Sequence, residues 1–216
     1  MDFSLKTGRI ALIFIVVAWL SVAWWARREF LPYDVKSTDV GTTLFQAQTF
    51  ASGHLWRSTP EPREFFQQWQ AVVRDRSYAY YPPVQAALLA IPLRAGLDPW
   101  LIPWLLSGGS LILLYFWCAR LSSPATAICA VCTMAFSPFF AANAPSLLSH
   151  SSCLFLTLAF LWSITRWQQE GDARSALLSG LTLGLVFANR PVNAVALGAA
   201  WLPWLMWSRK AAWKSE

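Results

Sequence analysis

Residues 121–165 read LSSPATAICAVCTMAFSPFFAANAPSLLSHSSCLFLTLAFLWSIT, 45 positions without an Asp, Glu, Lys or Arg. As one α-helix the stretch would be about 68 Å long at 1.5 Å per residue, more than twice the roughly 30 Å core of a bilayer. It must therefore turn back on itself. Ala142-Asn143-Ala144-Pro145-Ser146 is the turn, because Pro145 keeps its predecessor out of the helical region. Four further uncharged runs flank it, at 10–26, 99–119, 175–189 and 191–208. With about 20 residues needed per crossing, the sequence predicts six spans: 10–26, 99–119, 124–142, 147–165, 175–189 and 191–208. The break between the last two rests on Asn189-Arg190-Pro191.

Composition agrees with that reading. Lys and Arg number 17 and Asp and Glu 11 in 216 residues, so 13% are charged, against about 25% in a soluble domain. That is too few to cover a water-facing surface. The predicted fold class is an all-α integral membrane protein, one membrane domain over 1–216. Disorder, collagen and a small disulfide scaffold are excluded. No Walker loop, dinucleotide fingerprint, HExxH or repeat occurs, and the net charge of +6 suits an anionic membrane surface better than nucleic acid. Cys129 and Cys132 have CxxC spacing inside a predicted span, a packing position rather than a redox or zinc site. Gly180 and Gly184, four apart, fit close helix packing.

The charges concentrate in 27–98, a 72-residue segment with 15 of the 28. Within it Val84–Leu93 is apolar but only ten residues long and interrupted by Pro92, so it reads as a juxtamembrane helix in the interface rather than a crossing. Short basic loops face the cytoplasm. An N-terminus inside puts Lys6, Arg9, Arg120, Arg166, Arg174, Arg209, Lys210 and Lys214 on that side, with Arg190 alone in the short outer turns. Counting 84–93 as a span would reverse most of these. The predicted topology is a first transmembrane helix at 10–26, an extracytoplasmic loop with juxtamembrane helices at 27–98, and five further spans over 99–208. Ser21 and Ala23 are small enough for a signal-peptidase site, but Trp19, Trp24 and Trp25 suit a retained span with an interfacial belt.

Four places in the chain carry possible chemistry. Asp39 follows Ser37-Thr38 at the start of a helical pattern with Gly53 as its stop. It is a first-turn acid stabilised by the helix dipole, or a carboxylate held at the membrane surface for base catalysis or metal binding, and the two roles are compatible. His150 is the one histidine of the apolar half, either packed and hydrogen-bonded or facing a cavity. Arg190 ends the fifth span, where it snorkels to the headgroups or clamps a lipid phosphate. Pro191 behind it frees backbone carbonyls of a kind that normally line a cavity at membrane depth. Tyr78-Ala79-Tyr80-Tyr81-Pro82-Pro83 opens the interfacial helix, as aromatic residues at a headgroup boundary do.

The order of these features is similar to that of a known family. Thr38-Asp39-Val40-Gly41 follows the first span, then Ala51-Ser52-Gly53-His54-Leu55 and Tyr80-Tyr81-Pro82-Pro83-Val84-Gln85. Phe136-Ser137-Pro138-Phe139, Ser149-His150 and a Gly180–Leu185 stretch running into Asn189-Arg190-Pro191 come later. The chain resembles the N-terminal half of the GT-C membrane glycosyltransferases, the fold of protein O-mannosyltransferases and bacterial aminoarabinose transferases, over about residues 30–205. The resemblance implies an inverting transfer of sugar from a polyprenyl-phosphate donor to an acceptor hydroxyl on the periplasmic face of a bacterial inner membrane. It makes Asp39 the general base or a metal-associated carboxylate, Arg190 the cation for the leaving phosphate, and His150, Tyr80 and Tyr81 substrate-binding residues. No cofactor is implied with certainty, and a divalent cation is left open. Val40 stands where many relatives have Glu, and Tyr81 or Pro82 where some have Lys. Relatives are about twice as long, which makes a partial enzyme completed by a second polypeptide one expectation. A non-catalytic membrane subunit or remnant, and a lipid or solute transporter, are the alternatives.

Overall fold

The computed structural model describes residues 5–30, 37–144 and 146–201. The readings that fall on Pro145, on 202–208 and on Arg209, Lys210 and Lys214 lie outside the described residues. In chain order the helices are α1 (Leu5–Phe30), α2 (Thr38–Ala51), α3 (Pro83–Arg94), α4 (Leu101–Leu121), α5 (Pro124–Ala135), α6 (Pro138–Asn143), α7 (His150–Glu170) and α8 (Ala173–Phe187). A further helix, α9, is described over 191–201.

α1 is apolar on both sides. Leu12, Val16, Trp19 and Ala23 recur at intervals of four and three and are buried, while Ile10, Ile13, Phe14, Val17 and Val22 stand exposed. A soluble surface helix would turn polar residues outward; an outward apolar stripe is what a lipid-facing helix carries. α1, over Leu5–Glu29, and α4 are long and apolar enough to cross a bilayer. They pack antiparallel. Trp19 Nε1 donates to Ser107 Oγ at 3.2 Å, Trp104 Nε1 donates to the Leu20 carbonyl at 3.0 Å, and the Trp24 ring lies against Trp100 and Trp104. α7, with 21 residues, is about 31 Å long, and packs against both α4 and α8.

The helix expected over 124–142 is broken. α5 stops at Ala135 and α6 begins at Pro138. Pro138 lacks the N–H that would continue the ladder, and the Ser137 hydroxyl accepts the Phe140 N–H at 3.4 Å as a new N-cap, so the chain restarts there. The glycine expectation is also corrected. A Cβ on Gly180 or Gly184 would meet nothing within 4 Å among the described residues. The close approaches are at Gly108, where a Cβ would lie 3.0 Å from Leu20, and at Gly109, where it would lie 2.8 Å from Phe155.

The loop 27–98 is not purely helical, and the all-α expectation is corrected there. Strands β1 (Arg57–Ser58), β2 (Ala71–Val73) and β3 (Arg76–Ala79) form an antiparallel sheet in the order β1-β3-β2, with Val72 opposite Tyr78 and Val73 opposite Ser77. β-branched and aromatic residues across from one another favour that pairing over a helix. Gln46 of α2 ties the sheet down, its Oε1 accepting the Ala79 N–H at 2.8 Å and its Nε2 donating to the Leu55 carbonyl at 3.0 Å. α2 and α3 pack through Val40, Ala47, Ala86 and Leu89 onto Trp100 and Leu147. This layer therefore sits on the end of the bundle where α4 and α7 begin and α8 finishes.

Candidate functional site

A cavity of about 560 Å³ opens where the loop layer meets that end of the bundle. Asp39, Tyr81, Gln85, His150, Asn189 and Arg190 are on its wall. Four chain segments far apart in sequence supply them.

Asp39 lies in the first turn of α2. The Ser37 hydroxyl caps that helix by accepting the Asp39 N–H at 3.2 Å. Two neutral donors converge on Asp39 Oδ1: the Tyr81 hydroxyl at 2.6 Å and Gln70 Nε2 at 3.2 Å. Gln70 also donates to Thr38 Oγ1 at 3.0 Å. The sheet delivers both donors, with Gln70 just before β2 and Tyr81 just after β3. Burial pushes the Tyr81 phenol up to about 12, and its hydrogen bond to Asp39 and the adjacent negative charge act in the same direction. The phenol thus remains a donor at any working pH.

Arg190 follows α8 in the turn that Pro191 enforces, with its backbone N–H still bonded to the Val186 carbonyl at 2.7 Å. Its Nε donates to Ser149 Oγ at 2.8 Å. Among the described residues it has no carboxylate partner at salt-bridge distance, and Asp39 has no basic one. The turn is stitched to α3 by the Val84 N–H, 3.5 Å from the Ala188 carbonyl. Beneath it runs a buried polar chain: Asn189 Nδ2 donates to Ser152 Oγ at 2.9 Å, Ser152 to Gln85 Oε1 at 2.6 Å, and Gln85 Nε2 to the Leu147 carbonyl at 2.7 Å.

Of the residues picked from sequence, Asp39, Tyr81, His150 and Arg190 line this one cavity. Tyr80 does not; its side chain is 77% exposed. Sequence reasoning missed Gln70, Gln85, Ser149 and Asn189. Gln85 carried a signal, being the one polar side chain in the apolar run 84–93, whereas nothing marked Gln70. No group of three or more His, Cys, Asp or Glu suited to a metal ion occurs among the described residues. A second cavity of about 840 Å³, lined largely by apolar side chains of α4 to α7, shares His150, Arg190 and Asn193 with the first.

Residues 82–216 match the family model of dolichyl-phosphate-mannose-protein mannosyltransferases. The chain belongs to that family. It is a GT-C-like membrane glycosyltransferase. No curated protein and no solved structure matches it. The mannosyltransferase match takes in α3 and the whole bundle wall of the cavity, with Gln85, His150, Asn189 and Arg190 inside it, and begins one residue after Tyr81. Asp39 lies outside the matched residues, so its place in the site rests on the fold of the loop layer.

Proposed function

We propose that this chain transfers a sugar from a polyprenyl-phosphate donor to an acceptor hydroxyl, with inversion, at the periplasmic face of a bacterial inner membrane. The observation that carries the reading is one cavity walled by a carboxylate and a guanidinium that do not neutralise each other. Asp39 takes the proton of the acceptor hydroxyl as it attacks the anomeric carbon. Tyr81 and Gln70 hold that carboxylate in one orientation. The bond from the anomeric carbon to the phosphate oxygen breaks, and Arg190 stabilises the charge that develops on the leaving polyprenyl phosphate. His150, between the two cavities, contacts the donor where its phosphate joins its lipid chain. The apolar cavity between α4 and α7 offers that chain a dry path.

In this reading α1, α4, the broken α5–α6 pair, α7, α8 and the helix beginning at 191 are six crossings, with the N-terminus in the cytoplasm. The length of α7 and the apolar outer face of α1 support it. The test is transfer of radiolabelled mannose from mannosyl-phosphoryl polyprenol by membranes carrying the chain, beside Asp39→Asn. Loss of about 10²–10⁴-fold in rate is expected for the variant; equal rates would overturn the assignment of Asp39.

A further inference from the structure

The buried chain Gln85–Ser152–Asn189 has a direction, and the direction decides which atom of Asn189 is left over. A carbonyl oxygen only accepts, so the Leu147 carbonyl requires the amide nitrogen of Gln85 opposite it. Gln85 then presents its oxygen to Ser152, whose single hydroxyl proton goes to it at 2.6 Å. With that proton committed, Ser152 can only accept from Asn189, which must turn Nδ2 toward it. Flipping either amide would set two acceptors or two donors face to face. The orientation of Asn189 is thus forced by the network.

What remains is Asn189 Oδ1. The residue is 2% exposed, lies on the wall of the site cavity, and its Oδ1 has no hydrogen-bond partner. A buried acceptor without a donor carries a desolvation penalty that native folds rarely leave standing. Arg190 lines the same cavity, so an occupant whose phosphate meets that guanidinium lies in the cavity that Asn189 also walls. We infer that Asn189 Oδ1 accepts a hydrogen bond from a hydroxyl of the sugar carried on the lipid phosphate. Asn189 is then a specificity residue: it selects a donor with a hydroxyl at one ring position. Gln85 and Ser152 are positioning residues that fix which amide atom of Asn189 is left without a partner. The inference rests on the proposed lipid-linked sugar donor.

The experiment is equilibrium binding to the full chain in lipid nanodiscs. The probes are short-chain mannosyl-phosphoryl polyprenol, its four monodeoxy analogues, and the same polyprenyl phosphate without sugar. The expected result is that one deoxy analogue binds wild type about tenfold more weakly than the parent, the loss of roughly one net hydrogen bond. Asn189→Leu should bind the parent and that analogue alike while keeping wild-type ranking of the other three. Ser152→Ala, which frees the amide to rotate without touching Asn189, should show a preference between those extremes. A merely structural role would weaken all probes together and leave their ratios unchanged. Unchanged ratios in both variants, with sugar-bearing lipid still preferred over the bare phosphate, would overturn this inference alone. Wild type that binds the bare phosphate as tightly as every sugar-bearing probe would bring down the donor assignment as well.

Discussion

The two ends of α7 handle charge in opposite ways. At its C-terminal end Arg120 donates to Gln169 and, at 2.5 Å, to Glu170; Arg166 donates to the other oxygen of Glu170 at 2.7 Å and lies 3.8 Å from Asp172. Asp172 also caps α8 by accepting the Ser175 N–H at 2.9 Å. Every charge in that cluster has an opposite charge within 4 Å. At the N-terminal end, about 31 Å away, among the described residues the Arg190 side chain has only the neutral Ser149 hydroxyl and the Asp39 carboxylate only Tyr81 and Gln70. Opposite charges there line one cavity without pairing. A charge that a fold leaves unmatched in a cleft is the kind a ligand completes, whereas a matched cluster holds helices together.

The largest expected effect is the one that separates the ends. Arg190→Ala should lower sugar transfer about 10²–10³-fold, the usual loss on removing one group that stabilises developing negative charge, with little change in Tm. Arg120→Ala should do the reverse, lowering Tm while leaving transfer per folded molecule intact. Initial rates and thermal unfolding of the two proteins in the same detergent decide it. Loss of transfer in both at unchanged Tm would erase the distinction.

A smaller effect is expected at Tyr81, which supports Asp39 without carrying charge. Tyr81→Phe removes a hydrogen bond to a carboxylate and should slow transfer about tenfold. Its pH signature has a fixed sign. The folded value of about 12 lies above the ordinary 10.0, chiefly through burial, so the phenol's contribution to stability is complete below pH 10 and disappears as pH rises toward 12. A spectrophotometric titration should show one phenolate component near pH 12 in wild type and none there in the variant. If that component appears near pH 10, Tyr81 is neither buried nor held by Asp39 as described.

Much of this contrast was legible in the sequence, for identifiable reasons. Long uncharged runs report helices directly, because transfer from water depends on composition rather than on tertiary detail, and α1, α4, α7 and α8 fall where the runs predict. Asp39, His150 and Arg190 stood out because each is an ionisable group beside a predicted helix end, the last two in apolar surroundings. The break at Ser137-Pro138 was visible as residues, yet was overridden by the apolar run on either side of it. The sheet at 57–79 was missed because its strands are two to four residues long, too short for alternation to register. Gln70 reaches Asp39 only through that sheet, so no local pattern announced it. Tyr80 and Tyr81 are adjacent and identical in type, and both lie just past the end of β3. Only the fold could say which of the two meets the carboxylate.

The weakest expected effect probes the satisfied end by itself. The hydrogen bond from Arg120, then that from Arg166, hold Glu170 below its ordinary 4.5, and the bonds from Ser175 hold Asp172 below its ordinary 3.8. Both folded values lie beneath the unfolded ones, so their stabilisation is present above pH 4.5 and is lost as pH falls through the lowered values. Glu170 and Asp172 are open to solvent, where screening by water and salt keeps such pairs modest. Glu170→Gln should therefore lower Tm only slightly at neutral pH and flatten the acid side of the Tm profile. The difference from wild type should shrink as pH falls through the lowered Glu170 value, because wild type then loses the same charge. Added salt should narrow it as well. Transfer per folded molecule should be unchanged throughout, since nothing in this cluster reaches the cavity at the other end of α7. A Glu170→Gln protein that kept the wild-type acid profile would show that the cluster adds nothing to folding, and the charges at the two ends would no longer divide into structural and functional.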